Sequence, residues 1–355
     1  MTERRNFDTL SPEFRIHVDG RELPPAAKAD LQSLSVLEDV DAAGMFTFTL
    51  FCWDGANMEV KWIDDDLFKA GNRIEIEMGY RDNMESLFKG EITGLEPEFA
   101  EEAPPTLTVM GYDRRHRLMG RRKTRTFLNM KDSDIVAQIA GDWSLTPEVE
   151  TTRTRHDYVL QHNQTDFDFL QERARRIGFE MLVEDTTLYF RTRQNSGSAS
   201  VTLNREVELL RFNVRLTTVG QVEEVLVQGW SPKNKEAITA RSATGDETRM
   251  GGSASGPATA QRAFGNTGDT LAELPVFNQA EADELARGWF GEMALRYVEG
   301  RGLCIGRQDL RAGTLVEIEG LGTRFSGTYY VMTTEHTYRP NSGYRTQFTV
   351  RRNTT

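Results

Sequence analysis

Alternating hydrophobic and polar positions dominate the first third of the chain. Phe14, Ile16 and Val18 alternate with polar residues, and an Asp19-Gly20 turn signal follows them. Residues 45–53 are aromatic or β-branched almost throughout, which favours a central strand covered on both faces. Together with residues 34–36, 71–80, 87–95 and 106–112, the pattern predicts about seven strands before residue 113. Such a series is typical of a closed or nearly closed antiparallel barrel.

One strand pattern occurs twice, once near each end of the chain. The copies begin at residues 69 and 311, and both contain a basic residue followed by Ala-Gly, an alternating Ile/Val and Glu strand, and a Phe-x-Gly turn. Two further strands are predicted after each. Alternation puts Glu75 and Glu77, and likewise Glu317 and Glu319, on the face opposite the apolar side chains. We interpret the two copies as a duplication and predict that they superpose as equivalent strands.

Helical periodicity interrupts the strands between residues 114 and 200. One helix is predicted after Lys131, with Asp132 or Ser133 as its cap. A second is predicted from Thr165, because Asp168 follows three residues later as in a capping box. A hairpin over residues 179–191 comes next. This segment is predicted to be an α/β domain inserted between two barrels.

The second barrel is predicted to be discontinuous in sequence. Strand patterns return at residues 210–216 and 222–230, whereas residues 242–268 are rich in Gly, Ser, Ala and Thr and predict a long exposed loop. Asn278 should cap a third helix whose broad apolar side packs on a barrel. The predicted domains are 1–113 (first barrel), 114–200 (insertion), 201–235 with 300–355 (second barrel), and 236–299 (loop and helix on the barrels). The predicted fold class is therefore mainly β, with two similar antiparallel β-barrels and a smaller α+β domain.

Charge is distributed unevenly along the chain, whose net charge is −11. Residues 1–113 hold 24 acidic side chains against 10 Lys and Arg, which argues against nucleic-acid binding by this part. Residues 114–127 hold 7 Lys and Arg and no acid. This basic segment could bind phosphates, but docking on an acidic partner surface, such as a neighbouring first domain, suits the opposite charges better.

Cellular location follows from a few simple features. Cys52 and Cys304 are the only cysteines and lie in opposite halves, so synthesis in a reducing cytoplasm is expected. No apolar run approaches the roughly 20 residues that a membrane helix needs, and the first residues do not resemble a signal peptide. We expect no direct insertion into a membrane.

No residue pattern in the sequence indicates a catalytic or metal-binding site. The histidines at 17, 116, 156, 162 and 336 have no metal-site spacing. The glycines of residues 251–256 match neither a phosphate loop nor a nucleophile elbow. Consecutive acids at 64–66 and 101–102 are most simply solvated loop charges. We therefore predict no catalytic, cofactor-binding or metal-binding residue, no cofactor, and no enzymatic activity.

Several long motifs nevertheless resemble one protein family. Gln161, Thr165-Asp166, Phe169-Leu170 and Arg173-Ala174 look like the Gln-x-x-x-Thr-Asp-x-x-Phe-Leu-x-x-Arg-Ala signature of the phage late-control protein D and VgrG family. Residues 111–143 also resemble that family, and residues 312–346 are similar to its closing segment. The resemblance covers nearly the whole chain.

The resemblance implies a structural role in a contractile injection system. Members are baseplate hubs in which three chains with two barrels each adapt a sixfold tail tube to a threefold spike around a channel. The expected partners are two further copies, a tube or tube-initiator protein, baseplate wedge components, a spike that is a separate protein because the chain ends after its last barrel strand, and possible effector cargo. The expected location is a phage tail or tail-like particle. The alternatives are a tail-associated cell-wall hydrolase using residues 64–66, and a receptor- or cargo-binding module using residues 242–268.

Overall fold

The computed structural model describes residues 11–81, 83–265 and 268–355. Its strands are β1 Pro12–Val18, β2 Arg21–Glu22, β3 Leu31–Asp39, β4 Met45–Phe51, β5 Trp53–Asp54, β6 Glu59–Val60, β7 Arg73–Tyr80, β8 Asn83–Glu98, β9 Thr106–Tyr112, β10 Lys123–Lys131, β11 Thr146–Val149, β12 Arg155–Gln164, β13 Phe179–Glu184, β14 Thr187–Thr192, β15 Val201–Asn204, β16 Leu209–Leu216, β17 Glu224–Ser231, β18 Glu236–Ala243, β19 Gly268–Leu271, β20 Val298–Ile305, β21 Leu315–Glu319, β22 Gly327–Arg339 and β23 Gly343–Arg352. Its α-helices are α1 Pro25–Ala29, α2 Arg115–Leu118, α3 Asp132–Asp142, α4 Asp166–Arg176, α5 Gly256–Phe264, α6 Gln279–Leu295 and α7 Gly322–Phe325. No helix in these ranges is long and apolar enough to cross a membrane.

Six strands of the first 113 residues form one unit, in the order β1-β7-β8-β9-β4-β3, and every neighbouring pair is antiparallel. Its core is built by the alternating residues that the sequence pattern singled out. Phe46, Phe48 and Leu50 on β4 are fully buried among Ile16, Ile76 and their neighbours. The opposite face of β4 is half-buried and carries Thr47 and Thr49.

A second unit repeats this arrangement. Its order is β15-β21-β22-β23-β20-β16, so each strand stands where its counterpart stands in the first unit, and the strands also follow one another along the chain in the same sequence. Only the first strand differs in direction, because β15 is parallel to β21 whereas β1 is antiparallel to β7. The second unit has a separate core around Tyr329, Val331 and Phe348.

The two units agree in register as well as in order. The β8–β9 ladder has a bulge between Ile92 and Gly94, and the β22–β23 ladder has one between Val331 and Thr333. A further bulge lies between Leu31 and Ser33 on β3 and recurs between residues 209 and 211 on β16. A bulge inserts one unpaired residue at a defined place, so its recurrence at matching positions indicates duplication of the whole unit.

The hydrogen bonds that lead into β7 and β21 are also matched. Gly71 N–H donates to Ile92 O at 2.8 Å, and Gly313 N–H donates to Val331 O at 2.9 Å. Both glycines have positive φ, +95° and +81°, which glycine adopts without steric cost. The Phe-x-Gly part of the repeat is not equivalent, because Gly90 pairs with Ile74 whereas residue 327 pairs with residue 318, two positions further along.

The glutamates of the repeat occupy equivalent positions. Glu75 accepts a hydrogen bond from Ser86 Oγ at 2.7 Å. Glu317 accepts one from Thr328 Oγ1 at 2.6 Å. In each case the partner lies on the strand that follows, so the acid stabilises the hairpin from its outer face.

A single sheet joins the two units, since β22 pairs with β3 over residues 333–338. Its hydrogen-bonded path runs β16-β20-β23-β22-β3-β4-β9-β8-β7-β1-β2 and stays open within the described residues. The mainly β class with an α/β insertion is confirmed. In the described part of the chain, however, neither unit closes its ladder into the predicted barrel.

The insertion contains α2, α3 and α4 with two small sheets, β10-β12 and β11-β14-β13. Thr165 caps α4, its Oγ1 accepting from Asp168 N–H at 3.0 Å, as predicted. The cap of α3 differs from the prediction: Lys131 precedes the helix, and Asp134 Oδ2 accepts from its backbone N–H at 3.1 Å. Asp132 and Ser133 are instead buried inside the first turn.

A third region differs from the sequence-based expectation. Strand β17, expected in the second barrel, pairs with β18 and β19 in a separate sheet. The segment expected to be one long loop contains β18 up to residue 243 and helix α5, which Ser255 caps. Helix α6 covers β17 and β18 and crosses α4, where a Cβ on Gly288 would lie 2.7 Å from Gly178 N. Short-range composition could not reveal which sheet these strands join.

Candidate assembly interface

Two charged side chains, Glu38 on β3 and Arg311 just before β21, join the repeat units. Arg311 Nε lies 2.8 Å and 3.0 Å from the two carboxylate oxygens of Glu38, and its other nitrogens donate to Ser86 O and Leu87 O on β8. Burial alone would raise the pKa of Glu38, but the Arg311 guanidinium lowers it. The ion pair therefore holds the first unit against the loop that starts the second repeat.

A buried histidine lies at the same junction. His336 on β22 is fully buried, with Nδ1 2.7 Å from Tyr344 Oη and Nε2 3.1 Å from Leu310 O. Because a carbonyl can only accept, Nε2 carries the proton and Nδ1 accepts from the tyrosine. Burial lowers the pKa of His336 to about 4 and raises that of Tyr344 well above its usual range. Both groups are neutral parts of the core at pH 7.

Two segments of sheet edge have no strand beside them within the described ranges. One is β16, the end of the sheet path. The other is the last part of β8, because β7 pairs with β8 only as far as Glu91. Leu95 on this second edge is 37% exposed, and Phe99, directly after the end of β8, is 64% exposed. Edges of this kind are templates for pairing with another chain.

The family-like signature builds the insertion rather than a reaction centre. Asp166 has no exposed side-chain surface and accepts from Lys123 Nζ at 2.6 Å, Trp143 Nε1 at 2.7 Å and Gln161 Nε2 at 3.0 Å. Burial would raise its pKa, but these donors lower it. Residues 169, 170 and 174 of the same signature lie in the apolar core.

Arg173, the last charged residue of the signature, serves a second buried network. Its Nη2 lies 3.0 Å from Asp132 Oδ2 and 2.9 Å from His156 Nε2. Burial opposes the ionisation of both Asp132 and Arg173. The hydrogen bond from His156 and the positive charge of Arg173 nevertheless hold the pKa of Asp132 below its usual range. Arg176, one turn on, reaches Glu281 on α6 at 3.2 Å. The network ties α3, α4 and α6 together.

Most side chains of the basic segment are used within the chain, contrary to the prediction of a docking edge. Arg115 is buried and binds Asp113, while Arg117 donates to Glu91 at 2.8 Å. Lys123 and Arg125 both bind Asp166. Several of the opposite charges recognised in the sequence are therefore paired within the chain.

The other candidate residues have ordinary local roles. Asp65 Oδ1 accepts from Leu67 N–H at 2.9 Å and caps a 3-10 turn at Asp66–Phe68; Glu101 and Glu102 are exposed in a bend. His116 Nδ1 lies 2.8 Å from Asp113 O. Residues 253–256 hold the C-terminal residues 353–355 by backbone hydrogen bonds. Within the described residues, no group of three or more His, Cys, Asp and Glu side chains could hold a metal ion.

One open cleft, of about 690 Å³, lies between the two units and the insertion. It is lined by Glu38 and Arg311, by Lys89 on β8, and by Glu184 and Arg191 of the insertion. Sequence reasoning missed both this cleft and the two sheet edges. The sequence feature that could have indicated the edges is the duplication, because two similar units are expected to have similar neighbouring strands.

Solved structures share this fold over almost the whole chain. The 43 kDa tail protein of prophage MuSo2 from Shewanella oneidensis has 13% identity and a TM-score of 0.73, over 96% of this chain and 98% of that one. A tail protein from Neisseria meningitidis MC58 has 14% identity and a TM-score of 0.69, over 96% of each chain. The E. coli c3393 protein, a component of the type VI secretion system, has 12% identity and a TM-score of 0.60, over 96% and 77%. The molecule thus has the fold of phage tail proteins.

A comparison with protein-family models gives a separate result. The chain belongs to the family described as the Alg8 N-terminal domain, whose model matches residues 8–339. No curated protein matches the sequence.

Proposed function

We propose that the chain is the central hub of a contractile-tail baseplate. Three copies form a ring that carries a sixfold tail tube on one side and a threefold spike on the other. The observation that carries this proposal is the duplication of a six-stranded unit with its bulges in register. Two similar units per chain give six similar positions from three copies, which is how a ring can match both symmetries.

Two further observations support the proposal. The fold is that of phage tail proteins and of a type VI secretion component. In addition, the residues that resemble the signature of the late-control D and VgrG family have structural roles. Asp166 and Arg173 form buried hydrogen bonds that hold the insertion together. The partners are then a tube or tube-initiator protein, a spike, and baseplate wedge components. Effector cargo is a further possible partner. The chain is made in the cytoplasm and assembled into the particle.

Reconstitution with the tube and spike proteins tests the hub role. We expect particle images and native mass measurement to give three copies in a ring, with one spike trimer below and one tube ring above. A chain that stays monomeric in the presence of both partners would overturn the proposal.

The proposed role includes no catalytic step. Asp65, at the centre of the acidic run 64–66, caps a turn. Purified protein should therefore leave cell-wall substrate intact. Clearing by the natural protein that disappears when residues 64–66 are changed to asparagine would establish the hydrolase instead.

A further inference from the structure

Helices α4 and α6 form an open groove beside the point where they cross. They approach each other closely at that point, where a Cβ on Gly288 would lie 2.7 Å from the backbone nitrogen of Gly178. Beside the crossing they leave a space of about 470 Å³, which is within the range of pockets that hold a ligand. This α4–α6 groove is lined by polar residues of α4 and by the apolar residues Phe167, Leu274, Leu285 and Trp289.

The groove presents apolar surface to solvent. Phe167 and Leu285 are buried in its walls, whereas Trp289 on α6 is 42% exposed. Tryptophan offers a large apolar area and is enriched among the residues that carry most of the binding energy in protein–protein contacts. A partner that covers Trp289 therefore gains stabilisation from removing its ring from water.

One face of α4 makes the rim of the groove acidic. Asp168 and Glu172 lie one turn apart on this face, and both are exposed. Neither has a salt-bridge partner among the residues that the structure describes, and like charges at this spacing destabilise a helix slightly. Two arginines also line the groove, but Arg175 lies 3.6 Å from a carboxylate oxygen of Asp41 and Arg176 lies 3.2 Å from one on α6. The charge that remains uncompensated at the groove is therefore negative.

A buried amide in the wall of the groove lacks a hydrogen-bond donor. Gln171 is 6% exposed, and its Nε2 donates to Asp41 Oδ1 at 3.1 Å. Its Oε1 is buried and accepts no hydrogen bond within residues 11–81, 83–265 and 268–355. A buried polar atom without a partner costs free energy. A ligand that brings N–H groups into the groove can supply this donor after a small rotation of the amide.

The helical walls of the groove also restrict the form of its occupant. Both α4 and α6 satisfy the backbone groups of their central turns internally, so neither offers a strand edge to an extended chain. A segment that enters the groove must therefore satisfy its own backbone groups, as an α-helix does. Recognition of a helix in a groove uses apolar side chains spaced three or four residues apart.

We propose that the α4–α6 groove binds an amphipathic, basic helix of another protein. An apolar side chain of that helix covers Trp289, and lysine or arginine side chains beside it bind Asp168 and Glu172. The site belongs to a single chain, so it does not depend on the proposed ring. An acidic helix, a second copy of this chain and unspecific adsorption of cations are the alternatives that the experiment separates.

Two designed helical peptides test this proposal with the full-length protein. The first has leucine at every third or fourth position, with alanine and lysine elsewhere, and the second has glutamate in place of each lysine. Fluorescence anisotropy of the labelled peptides measures both affinities. We expect the lysine peptide to bind at least about tenfold more tightly than the glutamate peptide. Tighter binding of the glutamate peptide, or no binding of either, would overturn the proposal.

Single substitutions with matched controls locate the bound peptide. Trp289→Ala should weaken binding of the lysine peptide about tenfold, whereas Trp230→Ala, which changes a 56% exposed tryptophan outside the groove, should leave it unchanged. Glu172→Lys should weaken the lysine peptide about tenfold and strengthen the glutamate peptide. Glu101→Lys makes the same change of charge in an exposed bend and should have no effect. Because Glu172 is exposed, its variant keeps the test valid even where Trp289→Ala fails to fold.

The controls define the results that contradict the proposed groove. If Trp230→Ala and Glu101→Lys weaken binding as much as the groove variants do, the lysine peptide is adsorbed on a protein of net charge −11, and the groove is not its site. If Trp289→Ala lowers the native mass of the protein measured without peptide, the occupant is a second copy instead. Ring formation with tube and spike proteins is measured separately, so failure of the peptide to bind leaves the hub role untouched.

Discussion

Arg311 and Glu38, 273 positions apart in the chain, form a bidentate ion pair at the point where one repeat unit meets the other. Thr334 Oγ1 also donates to Glu38, at 2.9 Å. Three strands of two units therefore depend on a single carboxylate. Solvent weakens the attraction between Arg311 and Glu38, because 28% of the Arg311 side chain and 19% of the Glu38 side chain remain exposed.

Replacing Arg311 by alanine should lower the free energy of unfolding by about 2 kcal/mol, because Glu38 loses its partner while still half-buried. Urea denaturation followed by tryptophan fluorescence measures the change. Arg324→Ala is the matched control, since Arg324 is exposed and should change stability by less than about 0.5 kcal/mol. Equal midpoints for the two variants would show that the ion pair contributes nothing to the junction.

Local patterns predicted the strands well because each strand buries every second side chain. Phe46, Phe48 and Leu50 show this in β4. The capping of α4 by Thr165 was equally predictable, since cap and bonded amide are three residues apart. Partners that are distant in sequence were not predictable. Nothing around Glu224–Ser231 distinguishes a strand of the second unit from a strand of a separate sheet, because both bury one apolar face.

The candidate interface likewise contains some features that the sequence predicted and others that it did not. The duplication was visible in the sequence and turned out to extend over six strands, whereas the basic segment was assigned to the wrong partner. Arg115 illustrates why: its partner Asp113 is two residues away, and a net charge summed over a segment does not show which charges are already neutralised inside the fold.

Acid should destabilise the protein through His336 before most carboxylates titrate. Burial lowers its pKa from 6.5 to about 4, so between these values the unfolded chain takes up a proton that the folded chain does not. Stability from this group is complete above pH 6.5 and falls by about 3 kcal/mol as pH drops to 4. The charges of Glu38 and Asp309 oppose this lowering of the pKa, whereas the charge of Arg311 adds to it.

Denaturation curves from pH 7 to 4.5 check this expectation. His336→Gln is the comparison, because glutamine does not titrate; the variant is less stable at pH 7 but should lose less stability on acidification than the natural protein. Parallel stability curves for the two proteins would mean that His336 is not the responsible group.

Asp166→Asn should destabilise the insertion selectively. The carboxylate binds Lys123 and Arg125 as well as two neutral donors. An amide leaves Lys123 without a counter-charge and leaves Arg125 with Asp142 as its remaining acidic partner. We expect a loss of about 3 kcal/mol and faster proteolysis within residues 114–200. Asp168→Asn is the control, because Asp168 lies on the exposed side of the same first helical turn. Equal effects of both variants on melting and proteolysis would contradict a special role for Asp166.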